Sequence, residues 1–217
     1  MHIAIFLYEG FTALDAIGPY EVLSRLPRAH VDFVAKKRGL IAADTGFLKV
    51  EAARSFEDMT DADLLVIPGG PMTGELGEHP EIRAWLHQMV DRVERLATVC
   101  TGSLIASRAG LLNDVRATTH WACIDELAAN GATAVQERVV IDGKYYSAAG
   151  VSAGIDLALT LVGDIAGSDR AQAIQLLIEY DPAPPFEAGS PKTAPAAVLA
   201  RVQKRLEKLR ATRHNDA

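Results

Sequence analysis

Cysteine is scarce: the 217 residues hold 2, too few for a disulfide framework, and thiols left reduced point to a reducing, cytoplasmic setting. Positive charge is also in short supply. The 22 Lys and Arg against 28 Asp and Glu give a net charge of −6, so the broad basic surface that a nucleic-acid backbone requires is missing. No Lys or Arg precedes the short apolar run at residues 3–7, which argues against a signal peptide. The long apolar stretch 151–165 is interrupted by Asp156 and Asp164, which argues against a membrane span. Three site patterns are missing as well. No Gly-x-Gly-x-x-Gly opens a helix, and Gly69-Gly70-Pro71-Met72-Thr73-Gly74 lacks the Lys-Ser/Thr of a phosphate loop. The 6 histidines show no His-x-x-x-His spacing and no cysteine cluster, so no zinc site is expected. A Gly-x-Ser-x-Gly elbow is absent. No cofactor and no metal are expected.

What is present is the composition of a compact chain: 49% hydrophobic and 23% charged residues, with 17 Gly and 10 Pro. Folding at this length removes roughly 70% of the unfolded surface from water, enough for a core without staples. We expect one domain over residues 1–217. The continuous apolar run at 3–7 predicts a strand buried on both faces; another buried strand is expected at 63–67 and a strand at 96–99. A strand is also expected at 30–36, a hairpin arm or edge strand at 46–53, and further strands at 132–135 and 139–141. Helical spacing predicts helices over 14–26, stopped by Pro27, and over 80–93, 101–112 and 152–162. Such alternation means an α/β fold, doubly wound around a mostly parallel sheet. The five prolines of 181–195 predict an extended arm with Phe186 as its apolar anchor. A closing helix over 196–212 follows, striped by Val198, Val202, Leu206 and Leu209. Residues 201–217 carry six basic and two acidic side chains; we read these as a solvated helix end whose cations suit the helix dipole.

One segment carries a chemical signal. In Leu96-Ala97-Thr98-Val99-Cys100-Thr101-Gly102-Ser103 a buried strand runs directly into a helix, with Cys100 at the corner. A thiol at a helix N-terminus has its pKa lowered by the dipole and the free amides, and Thr101, Gly102 and Ser103 are small enough for a sharp turn. The bland alternative, a small core hydrophobe, is how we read Cys123. Asp15 stands beyond the carboxyl end of the first strand, where an N-cap role competes with a catalytic one. Gly69-Gly70 follows the strand ending at Ile67, where a plain turn is the alternative. In open parallel sheets the loops at the carboxyl ends of the strands form the ligand crevice, so Asp15, Gly70 and Cys100 are expected to meet.

At these residues the chain resembles the ThiJ/PfpI superfamily, through Ile67-Pro68-Gly69-Gly70, Val99-Cys100-Thr101-Gly102-Ser103 and Ala117-Thr118-Thr119-His120-Trp121. Within it the chain is most similar to the isonitrile (isocyanide) hydratases. Leu14-Asp15-Ala16-Ile17-Gly18-Pro19, Ala153-Gly154-Ile155-Asp156 and Glu179-Tyr180-Asp181-Pro182-Ala183-Pro184-Pro185-Phe186 carry that similarity. The resemblance implies a flavodoxin-like fold with a nucleophile-elbow cysteine, a homodimer, and no cofactor. It implies Cys100 as nucleophile and Asp15 as acid/base, where many members carry a glutamate. Thr101 stands where protease-like members have histidine, which argues against peptide hydrolysis. The amides of Gly70 and Thr101 would supply oxyanion-hole-like donors, and His120 would be structural. The implied reaction converts a small-molecule isonitrile and water to the N-substituted formamide. Alternatives are glyoxalase- or deglycase-like chemistry on 2-oxoaldehydes, and a redox- or ligand-sensing module. A DNA-binding regulator is not expected, since the chain ends soon after its last helix.

Overall fold

The computed structural model describes residues 1–71 and 73–215, with side chains through 209. The first compact unit, Met1–Tyr180, opens with β1 (His2–Phe6), α1 (Ala13–Leu23) and β2 (His30–Ala35). An antiparallel hairpin of β3 (Gly39–Ala42) and β4 (Lys49–Ala52) comes next, then the short β5 (Arg54–Ser55) and β6 (Leu64–Ile67). Past α2 (Thr73–Leu76) and α3 (Pro80–Val90), β7 (Arg95–Val99) leads into α4 (Gly102–Arg108). Then come β8 (Arg116–Ala117), α5 (Ile124–Ala129), β9 (Thr133–Ala134), β10 (Val139–Asp142), β11 (Tyr145–Ala148), α6 (Ala153–Ala166) and α7 (Ser168–Leu177). The main sheet has the order β10-β11-β7-β6-β1-β2-β5 and is parallel except for the β10–β11 pair. This is the doubly wound α/β fold expected from the alternation, and the flavodoxin-like arrangement that the family resemblance implies.

The apolar runs behave as their composition requires. Residues 3–6 of β1 and all of β6 are buried on both faces, the pattern of central parallel strands. In α3 the buried residues Ile82, Trp85, Leu86, Met89 and Val90 recur at helical spacing and form its inner stripe. Pro80 occupies the first turn, where its missing N–H costs nothing.

Several boundaries differ from the sequence expectation. The helix expected to reach residue 112 ends at Arg108, because Gly110 turns left-handed at φ +82° and the Leu111 amide reaches back to the Ala106 carbonyl at 3.0 Å. The first helix stops at Leu23 and gives way to turns before Pro27. The strand expected at 132–135 leaves the main sheet and pairs with β8. Strand β11 and helix α7 have no counterpart in that reading.

A second compact unit begins at Asp181. It consists of the proline-rich segment and α8 (Ala196–Asn215), whose Val202 and Leu209 are exposed. The end expected at residue 212 lies short of the observed one. Within this unit Phe186 is exposed.

Candidate active site

Strands β1, β6 and β7 lie side by side and parallel, so the loops leaving their carboxyl ends share one edge of the sheet. Short hydrogen bonds tie those loops together. The Thr12 amide donates to the Gly69 carbonyl at 2.8 Å, and the Gly69 amide donates to Asp15 Oδ2 at 2.9 Å. The Gly70 amide donates to Thr101 Oγ1 at 2.9 Å, and that hydroxyl donates back to the Gly70 carbonyl at 2.9 Å. Asp15, Gly70, Cys100 and Thr101, named from sequence, therefore stand in one cluster. The Gly70 amide, committed to Thr101 Oγ1, holds that residue in place.

Cys100 sits between β7 and α4 with φ +56°, a left-handed conformation that costs a non-glycine residue of order 1–3 kcal/mol. The surroundings enforce it. The Cys100 amide donates to the Ala148 carbonyl at 3.0 Å. Its own carbonyl accepts from Thr119 Oγ1 at 3.0 Å and Ser103 Oγ at 3.1 Å. Two glycines make the close approach feasible. A Cβ on Gly102 would overlap the Ile67 carbonyl, and one on Gly69 would lie 2.5 Å from the Thr101 nitrogen and 2.9 Å from Asp15 Oδ2.

Burial dominates the electrostatics. Asp15 is fully buried, and its Oδ1 has no hydrogen-bond partner among the described residues. Desolvation raises its pKa from 3.8 to about 7; the Gly69 amide and the Cys100 thiol pull it down, and the charge of Asp44 pushes it up. Burial also raises the Cys100 thiol well above its ordinary value, and the neighbouring Asp15 charge adds to this. The Thr101 amide works in the opposite direction. The expectation of a lowered thiol pKa is thus corrected for the resting site: α4 has only 7 residues, and its dipole is outweighed by desolvation and a like charge. The two groups titrate as a pair.

Sequence reading missed three participants. Tyr8 is buried, donates to the Pro68 carbonyl at 3.1 Å, and has its pKa raised first by burial and then by the charges of Asp15 and Cys100. Thr119, buried beside the elbow, holds the Cys100 carbonyl. Asp44, in the β3–β4 connection, accepts from Thr12 Oγ1 at 2.9 Å, and the Thr12 carbonyl accepts the Asp15 amide at 3.0 Å. Only contacts made by folding reveal these roles. His120 caps the 3-10 turn Trp121–Cys123, its Nδ1 accepting the Ala122 amide at 3.3 Å.

Fold and site together define a flavodoxin-like α/β protein that carries a strained cysteine at a strand-to-helix corner, with a buried carboxyl group against it. The profile of the DJ-1/PfpI family matches residues 1–164, and the chain belongs to that family. It is 42% identical over 205 residues to the isonitrile hydratase of Pseudomonas putida, covering 94% of this chain and 90% of that one. The crystal structure of a ThiJ/PfpI family protein from Pseudomonas syringae superposes with a TM-score of 0.88 at 37% identity, covering 96% of this chain and 89% of that one. A more distant relative is the glutathione-independent glyoxalase DJR-1.2 of Caenorhabditis elegans, 25% identical, covering 52% of this chain and 60% of that one.

Proposed function

We propose that the protein is an isonitrile hydratase working without a cofactor, with Cys100 as nucleophile and Asp15 as acid and base. The observation that carries the mechanism is the buried Asp15 beside Cys100, with a pKa near neutrality and an uncommitted Oδ1. The similarity to the Pseudomonas putida enzyme over nearly the whole chain supports the substrate class.

An isonitrile carbon accepts both a nucleophile and a proton. In the reactive form the pair holds one proton, and the thiolate attacks the terminal carbon of R–NC while Asp15 protonates that carbon. The product is a thioimidate, R–N=CH–S–Cys100, and an Asp15 carboxylate. Water then adds to the carbon, one of its protons going to nitrogen. Asp15 takes the second as the tetrahedral species collapses, the C–S bond breaks and R–NH–CHO leaves. Cys100 is released as thiolate and Asp15 is protonated again, so atoms and charge balance. The Thr101 amide, which favours the anionic sulfur, steadies the leaving thiolate, and Gly70 acts through Thr101. Oδ1, without a hydrogen-bond partner among the described residues, is the oxygen best placed to carry the travelling proton.

The test is turnover of an aryl isonitrile followed by formamide absorbance, for wild type and Cys100→Ala. Formamide from wild type alone supports the reading. Correctly folded wild type that makes no formamide, or that makes lactate from methylglyoxal instead, overturns it. We assign the enzyme to the cytoplasm on its scarce cysteines, neither of them in a disulfide, and among the described helices none is long and apolar enough to cross a membrane. We take the working form to be a homodimer, since Leu176 and Leu177 leave large apolar surface exposed; sedimentation at 23.3 kDa would refute this.

A further inference from the structure

At the opposite edge of the sheet, strand register assembles a group that linear spacing conceals. His2 of β1 lies directly across from His30 of β2 in the parallel pairing. Asp32 is two residues beyond His30, so the pleat returns it to the same face. Both imidazole Nε2 atoms converge on one oxygen, Asp32 Oδ2, at 2.9 Å from His2 and 3.3 Å from His30. All three ligand atoms lie within 4.8 Å of one another. Metal–ligand bonds of about 2.0–2.1 Å in a tetrahedron place neighbouring ligand atoms roughly 3.3 Å apart, and the two nitrogen–oxygen distances to Asp32 Oδ2 lie at or just inside that spacing. Asp32 is buried while His30 is exposed, giving a carboxylate fixed at the base and an open side for solvent.

From this geometry we infer that His2, His30 and Asp32 form a binding site for a borderline-soft divalent transition ion such as zinc, distinct from the active site. Two imidazoles and one carboxylate are the donor set that such ions prefer. Without an ion, the two rings can share Oδ2 as N–H donors; a cation replaces both protons at the point where they converge. Arg54 Nε, 3.5 Å from the same oxygen, balances the carboxylate in the ion-free state, and this half-exposed side chain is free to withdraw. The Asp63 carboxylate, which accepts the His2 amide at 2.6 Å, holds the start of β1 in register. Bound metal would clip β1 to β2 and act on stability, since the reacting groups lie at the other edge.

The experiment is calorimetric titration of the full chain with zinc chloride, together with thermal melts. Wild type is compared with His30→Ala, whose exposed position tolerates truncation, and with Cys100→Ser, which removes the only catalytic thiol that could compete for zinc. The expected result is one zinc per chain in both wild type and Cys100→Ser, and a melting temperature raised by about 5 °C at saturation. Binding should weaken at least tenfold in His30→Ala, since even outer-shell changes at metal sites cost about 10–100-fold. Absence of saturable binding in wild type, or equal affinity in His30→Ala, overturns the assignment. So does zinc uptake that disappears in Cys100→Ser.

Discussion

Replacing Asp15 with asparagine should abolish turnover and stabilise the fold, and the stabilisation should grow with pH. The carboxyl group has a pKa of about 7 in the folded chain against 3.8 when exposed. A raised folded value means that the group is fully tolerated below its unfolded pKa and costs stability as pH rises through the folded one. At about 1.4 kcal/mol per pH unit separating the two values, the ionised group costs roughly 4 kcal/mol above pH 7, and less than about 2 kcal/mol at pH 5. Asparagine is not ionisable. Its carbonyl can keep the Gly69 amide, while its amino group takes the position of Oδ1, which has no hydrogen-bond partner among the described residues; that penalty does not depend on pH. The difference in stability between Asp15→Asn and wild type should therefore widen by about 2–3 kcal/mol from pH 5 to pH 8, or roughly 5–10 °C in melting temperature for a chain of this size. The assay is a series of thermal melts across that range, with formamide production measured in parallel and expected to fall at least about 100-fold. A stability difference that stays flat with pH would refute the argument that burial of an ionisable Asp15 sets the energetics of the site. Near wild-type turnover in the variant would remove Asp15 from the mechanism.

Other outcomes follow from the same contacts. kcat/KM for an isonitrile should rise with pH through about 7, as Asp15 and Cys100 pass from two shared protons to one. Asp44→Asn should move that rising limb to lower pH, because the Asp44 charge helps hold the proton on Asp15; an unmoved limb would show that Asp44 acts only as a cap for Thr12. Gly102→Ala should lower stability by about 1–3 kcal/mol through overpacking and reduce turnover with it, since the added methyl group meets the Ile67 carbonyl; a melting temperature within 1 °C of wild type, a shift below about 0.5 kcal/mol, would contradict this. Thr119→Val should cost about 1 kcal/mol. Together with Ser103→Ala it should cost more than the sum of the two single changes, because both hydroxyls serve the Cys100 carbonyl; additive losses measured by denaturant unfolding would contradict that coupling.

The strands β1, β6 and β7 were legible because each is a short, mostly apolar segment, interrupted by His2 at the start of β1 and by Arg95 and Thr98 in β7, and the corner at Cys100 because small residues follow it at once. Those two readings suffice to place Asp15 and the Gly69-Gly70 loop at the same edge. Strand β11 was less legible, since Tyr145-Tyr146-Ser147-Ala148 has no long apolar run. Its signal was the preceding Asp142-Gly143, with Gly143 left-handed at φ +58°, a hairpin turn composition. The charge state of Cys100 was not legible at all. Sequence shows a helix N-terminus, which lowers a thiol pKa, but not the depth of burial and the fully buried carboxylate that raise it. Tyr8, Asp44 and Thr119 were hidden for a related reason: each reaches the site across 19 or more residues of sequence, through hydrogen bonds that only strand order defines. His2, His30 and Asp32 show the same effect at the far edge, where register brings together ligands that no short spacing rule would collect.

The raised thiol and the raised acid look at first like a site tuned against catalysis, since an attacking sulfur must be anionic. For a reaction on an isonitrile carbon they are complementary. The carbon must receive a nucleophile and a proton in the same step, so the useful quantity is the free-energy gap between thiol with carboxylate and thiolate with carboxylic acid. Burial raises the cost of either charge, but it does so for both forms of a pair that carries one negative charge in each case, so much of that cost cancels between them. The Gly69 amide favours charge on Asp15 and the Thr101 amide favours charge on sulfur, which balances the exchange with fixed dipoles. A glutamate in place of Asp15 would extend the carboxyl group by one methylene against Gly69, where a Cβ already has no room. The shorter acid therefore fits this loop and leaves its second oxygen without a hydrogen-bond partner among the described residues, the oxygen that the proposed mechanism uses to deliver the proton.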